Sequence, residues 1–157
     1  MSTISSPQAF SISLEDDPLP SDVSVVRQAL QVYNLLYAPA DNYRPLHIFL
    51  RTPNRTILGG LLGATYWGWL HVNILWIDES LRHQGYGKQF LHLAEQEAIR
   101  RGCHAAYLDT MSFQALAFYE GAGYSVYGVL KDFPLGHSRI YLQKSLRETD
   151  VPLPSKS

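Results

Sequence analysis

A chain of 157 residues, 46% of them hydrophobic, with a formal charge of −1, is sized for one domain around a single core. That near-neutral balance gives no bulk electrostatic case for nucleic acid or an anionic membrane surface, and no apolar run approaches membrane-spanning length. The lone cysteine, Cys103, excludes an internal disulfide and reads as a buried structural thiol in a reducing cytoplasm.

In chain order, the first eight residues are Ser-rich without the basic and apolar parts of a secretion signal, and read as a disordered tail. One domain is expected over residues 9–146, with a second tail over 147–157. Phe10 to Leu14 alternates apolar and polar residues, the pattern of a half-buried strand. After the Pro-rich turn from Asp16, Ser21 reads as an N-cap, and Val25, Val26, Ala29, Leu30, Tyr33 and Tyr37 recur at helical spacing over Asp22 to Tyr37. Strands are expected at His47 to Arg51, Thr56 to Tyr66 and Leu70 to Asp78, with a tight turn at Thr52 to Arg55. These short connections predict an antiparallel meander. From Gly87 a helix carries Phe90, Leu91, Ala94 and Ala98 on one face, with Gly102 just past its end. Then follow strand Ala105 to Asp109, helix Phe113 to Glu120, and strands Tyr124 to Val129 and Arg139 to Lys144 around the loop from Lys131 to Ser138. The order β, α, β, β, β, α, β, α, β, β gives a mixed α/β or α+β domain.

The most informative segment is Arg82-His83-Gln84-Gly85-Tyr86-Gly87-Lys88, between a strand and a helix. Glycines permit close backbone approach and unusual φ angles, and the first helical turn offers unpaired N–H groups at the positive end of the dipole. A pyrophosphate suits such a turn. A P-loop does not: it needs Gly where Arg82 stands and Ser or Thr where Gln89 stands. A dinucleotide fingerprint needs a third Gly at Phe90.

Three blocks carry a resemblance to the GNAT superfamily, the Gcn5-related N-acetyltransferases, and in particular to uncharacterised bacterial members. Leu75-Trp76-Ile77-Asp78-Glu79-Ser80-Leu81 running into the Arg82–Gly87 turn resembles the family's fourth strand and acetyl-CoA loop. Ala115 to Tyr124 resembles its A-x-x-x-Y-x-x-x-G-[FY] element. The hairpin from Tyr127-Gly128 through Asp132 to His137 is similar to one found in a bacterial branch. The resemblance is strong from about Leu58 to Leu146. It implies a mostly antiparallel central sheet flanked by helices, with strands four and five splayed apart.

The resemblance also implies the chemistry: acetyl-CoA is co-substrate, an amine is acceptor, and no metal takes part. The backbone of Leu75, Trp76 and Ile77 would pair with the pantetheine arm and supply an oxyanion donor. Arg82, His83, Gln84, Gly85, Tyr86, Gly87 and Lys88 would hold the pyrophosphate. Ser112 stands where the family often has a cofactor-holding Asn. Tyr119 matches the family's general acid, and a phenol can protonate a departing thiolate. The base stays open between Asp109, His71, His137 and water. An aromatic acceptor pocket is expected from Tyr33, Tyr37, Tyr43, Trp67, Trp69 and Phe133, with His71 and His137 nearby. The implied activity is N-acetylation of a small primary amine by direct attack. The alternatives are a protein or peptide amine, or a non-catalytic acyl-CoA sensor. Nucleic acid and membrane partners are not expected. A cytoplasmic location is, with a homodimer an open possibility.

Overall fold

The computed structural model describes residues 10–147. The chain divides into two compact units, residues 1–40 and 41–157. In the first, α1 (Pro20–Asn34) starts with Pro20 at its first position, behind Leu19 as cap. Proline is preset for that position and has no N–H to leave unpaired. The helix thus begins before Ser21, whose hydroxyl turns to the Asp22 carboxylate instead of capping backbone. It ends at Asn34, and Tyr37 lies in the turns beyond it. No residue of α1 is buried.

The strand expected at Phe10 to Leu14 does not form. The segment is extended, and Phe10, Ile12 and Leu14 are exposed. A two-residue alternation fits a strand only where a neighbouring strand accepts its hydrogen bonds, and none pairs with it here. The tails expected at 1–8 and 147–157 lie, apart from Arg147, outside the described residues.

The second unit is a six-stranded sheet in the order β1-β2-β3-β4-β6-β5. Its strands are β1 (Arg44–Arg51), β2 (Ile57–Tyr66), β3 (Trp69–Ile77), β4 (Ala105–Met111), β5 (Ser125–Lys131) and β6 (Ser138–Ser145). Every pairing is antiparallel except β3 with β4. That parallel pair is joined by a crossover carrying α2 (Tyr86–Arg100), and α3 (Leu116–Gly121) follows β4. α3 starts at Leu116 rather than Phe113 because the Gln114 side chain accepts hydrogen bonds from Met111 N–H and the Thr110 hydroxyl, holding the preceding residues in a turn.

One face of the sheet meets α2. Leu61, Leu70, Leu108 and Leu142 are wholly buried there with Phe90, Leu91, Ala94 and Ala98 of the helix. Each fully buried leucine contributes about 1.5–3 kcal/mol of transfer free energy. Glu95, from α2, accepts from Tyr124 Oη at 3.0 Å and pairs with Lys144 Nζ at 2.8 Å, tying the helix to the far strands. No helix among the described residues is long and apolar enough to cross a membrane.

Candidate active site

The site begins with a defect in the sheet. β3 pairs with β4 from Trp69↔Ala105 to Val72↔Leu108 and no further. At that point Asn73 is an extra residue: Leu62 faces Ile74 while Gly63 faces Val72 across β2. A bulge bends its strand and flips the side-chain alternation. Leu70 and Val72 are core residues before it, and Leu75 and Ile77 pack on the core after it, leaving Ile74 and Trp76 exposed. Gly63 permits this, since a Cβ there would lie 2.3 Å from the His71 carbonyl oxygen. Beyond Val72, β4 no longer pairs with β3, so the stretch from Leu75 to Ile77 has an edge facing the opening, on which Arg82 takes the Ile77 carbonyl.

At the end of β3, Asp78 caps a short 3-10 turn (Glu79–Leu81) by accepting from Ser80 N–H. Arg82 Nε donates to the Ile77 carbonyl and Gln84 Nε2 to the Ser80 carbonyl, folding the loop onto the strand it leaves. His83 and Gly85 both have positive φ, +59° and +87°. Gly85, the N-cap of α2, takes that conformation at little steric cost. Backbone N–H groups from His83 to Lys88 donate to no backbone carbonyl of the described residues. Six unpaired donors at a helix N-terminus, with Lys88 exposed beside them, fit a pyrophosphate. Gly87 has a different job: a Cβ there would touch Phe118 at 3.0 Å, so its bareness lets α3 close on α2.

Two groups with proton chemistry lie on opposite faces of the sheet, both in the field of Asp109. His71 is on the face away from α2, stacked on Tyr107 with centroids 4.5 Å apart and planes 5° from parallel. Burial pushes its imidazole below the usual value, with Asp109 pulling it up and Arg139 pushing it down. The ring is therefore neutral at neutral pH and able to accept a proton. Tyr119 lies in the core cluster on the α2 side. Burial, then the Asp109 charge, hold its phenol above the usual value, so it keeps its proton. Asp109 itself accepts from Arg139 Nε at 2.7 Å. The guanidinium lies over Phe133 and Tyr141 at 5.1 and 5.4 Å.

The remaining expected residues divide. Trp67 lines an open cleft of ≈ 400 Å³ with Tyr66, Trp69, Tyr107, Tyr127 and Gln143. Phe133 joins the site through Arg139. His137 is in the β5–β6 loop against Phe113, at 4.9 Å, and is not part of the cleft lining. Tyr33 and Tyr37 pack on each other at 5.1 Å in the first unit. Tyr43 packs on Tyr66 at 6.2 Å. The Ser112 hydroxyl accepts from Ser138 N–H, so it already ties β4 to the final hairpin. Sequence reasoning missed Tyr66, Tyr127, Gln143 and Arg139. The expected residues Trp67, Trp69 and His71 were the signals that pointed at this face.

The Acetyltransferase (GNAT) family model matches residues 12–124. The chain belongs to that family. An acetyltransferase from Agrobacterium fabrum, Atu2258, is 40% identical over 119 residues, covering 76% of this chain and 87% of the relative. Blasticidin-S acetyltransferase of Streptomyces morookaense is 34% identical over 112 residues, covering 69% and 82%. The crystal structure of an acetyltransferase from Agrobacterium tumefaciens superposes with a TM-score of 0.81 at 36% identity, covering 87% of this chain and 99% of that one. This acetyltransferase uses acetyl-CoA as its acetyl donor, and its splayed mixed sheet is the GNAT fold.

Proposed function

We propose that the chain moves the acetyl group of acetyl-CoA to the primary amine of a small molecule, by direct attack in a ternary complex. The observation that carries this reading is that His71 and Tyr119, on opposite faces of the sheet, both lie in the field of Asp109. Acetyl-CoA supplies a thioester, whose acyl carbon accepts the amine and whose sulfur leaves. N–H groups of His83 to Lys88 hold the pyrophosphate, and the edge of Leu75 to Ile77 that faces the opening takes the pantetheine arm as an added strand. A backbone N–H of that edge polarises the carbonyl.

His71 takes the amine proton as the N–C bond forms. Tyr119 Oη gives its proton to the sulfur as the C–S bond breaks. Exchange with solvent returns a proton from imidazolium to phenolate, and the products are an acetamide and free CoA. At reference values the phenol-to-thiol transfer is uphill by roughly 1.5 units, about 2 kcal/mol, and the raised Tyr119 widens that gap. A base role for Asp109 is disfavoured because its carboxylate is held by Arg139. We assign it instead to holding charge beside the two proton-transfer groups.

A small acceptor is supported by the cleft, whose volume falls in the range of small-molecule sites, about 300–1,000 Å³. It is supported also by a relative whose name is that of a small-molecule acetyltransferase. A cytoplasmic location suits the single buried Cys103. Light scattering decides between monomer and homodimer.

The test is an acceptor screen of small amines and peptides with acetyl-CoA, following free CoA. Turnover is expected with small amines and should fall about 100-fold or more in Tyr119→Phe at unchanged acetyl-CoA affinity. Turnover with peptides alone would make the acceptor a protein, and binding without turnover would make the domain a sensor.

A further inference from the structure

The cleft beside His71 has a chemistry of its own. Five of its six lining residues are aromatic, Tyr66, Trp67, Trp69, Tyr107 and Tyr127, and the sixth is Gln143. None carries a formal charge at neutral pH, so the cleft offers ring faces, phenol hydroxyls and one amide. The rings are fixed to one another. Tyr107 meets Trp69 edge-to-face at 6.1 Å and Tyr66 at 6.4 Å, and the Tyr66 and Tyr107 hydroxyls hydrogen-bond. Trp67 is held at φ +45° in the two-residue turn between β2 and β3, next to Gly68 at φ +76°. Such turns favour Asn-Gly, and positive φ is sterically costly for a bulky residue. The chain accepts that cost and leaves the indole 46% exposed at the cleft.

The cleft is also placed with respect to the chemistry. Trp69 is two residues before His71 on the same face of β3, about 7 Å along the strand, and Asn73 marks where the sheet opens. An amine beside His71 would thus be a short spacer away from anything seated between the rings.

We propose that this cleft is the acceptor's ring subsite, and that the substrate is a ring-bearing primary amine: a planar ring with a polar group on its edge, joined by a short spacer to the reacting nitrogen. The ring is sandwiched by Trp69 and Tyr127, and its polar edge is read by Gln143. The inference rests on the small-amine reading above.

The test compares tryptamine and tyramine with n-hexylamine and putrescine as acceptors, at saturating acetyl-CoA, in the wild type and in Trp69→Leu and Tyr127→Leu. Tyr127 is 53% exposed, so its substitution leaves the core intact even where Trp69→Leu weakens the fold. In the wild type, kcat/KM for the arylalkylamines should exceed that for n-hexylamine at least tenfold. That ratio should fall about tenfold in each variant. Wild-type turnover of n-hexylamine or putrescine as fast as tryptamine, or an unchanged ratio in Tyr127→Leu, overturns the ring subsite while leaving a small-amine acetyltransferase. Acetyl-CoA binding without turnover of any of the four amines, with peptides acetylated instead, removes both readings together.

Discussion

Gly63→Ala tests whether the sheet opening depends on one missing side chain. An added Cβ would lie 2.3 Å from the His71 carbonyl oxygen, where a close C···O contact is about 3.3 Å. Relief needs about 1 Å of movement, and the atom in the way is backbone, so no rotamer change provides it. Either β2 and β3 separate at the bulge or the Asn73 bulge is lost. Overpacking of this kind costs about 3 kcal/mol, a fall in Tm of roughly 6–12 °C for a chain of this length. Activity should fall further than stability, because the carbonyl that must move belongs to His71. Gly121→Ala is the control: its Cβ meets nothing within 4 Å, and Ala is the better helix former, so Tm should hold or rise. The assay is a thermal melt of both variants followed by acetyl transfer at a temperature where both are folded. A Gly63→Ala melt within about 2 °C of wild type, with full activity, would refute the argument that this bulge needs glycine.

Two further outcomes are expected. His71 must be neutral to accept a proton, so kcat/KM should rise with pH through a value below the usual 6.5. Asp109 raises that value and Arg139 lowers it, so Asp109→Asn should move the acid limb to lower pH and Arg139→Gln to higher pH; loss of the limb in Asp109→Asn would instead make Asp109 the base. Lys88→Glu should leave Tm unchanged or slightly higher, since an anion is favoured at a helix N-terminus by about 0.3–1 kcal/mol. It should shrink the stabilisation by acetyl-CoA, about 2.7 kcal/mol at a hundred times Kd in the wild type, and an undiminished shift would move the pyrophosphate off this loop.

The segments legible in the sequence are those whose pattern is local. α2 announces itself because Phe90, Leu91, Ala94 and Ala98 repeat at its own period, and all four are buried. The turn at Gly85 was legible because a left-handed cap needs glycine. Phe10 to Leu14 was misread because its alternation matches a strand, while the presence of a partner strand is decided elsewhere in the chain. The bulge at Asn73 left only an indirect trace, Gly63, since its cause is a cross-strand register that no single strand displays. The same holds for the aromatic cleft. Tyr66, Tyr107, Tyr127 and Gln143 come from four strands, and only the order β2-β3-β4-β6-β5 makes them neighbours. Arg139 was invisible as a site residue for the same reason: its tie to Asp109 spans the β4–β6 pairing.

On the proposed mechanism, the close approach of Phe118 to Gly87 has a kinetic consequence. Phe118 precedes Tyr119 on α3, its ring 5.1 Å from the tyrosine's, and it rests on the bare first turn of α2. With the pyrophosphate on the His83–Lys88 loop and Tyr119 as proton donor, as proposed, this contact would join the two sites. Part of the free energy gained at the pyrophosphate would then steady a hydroxyl that the pyrophosphate never touches. An acetyl thioester cut back to pantetheine would then be a slow donor as well as a weak one, its deficit showing in kcat and not only in KM.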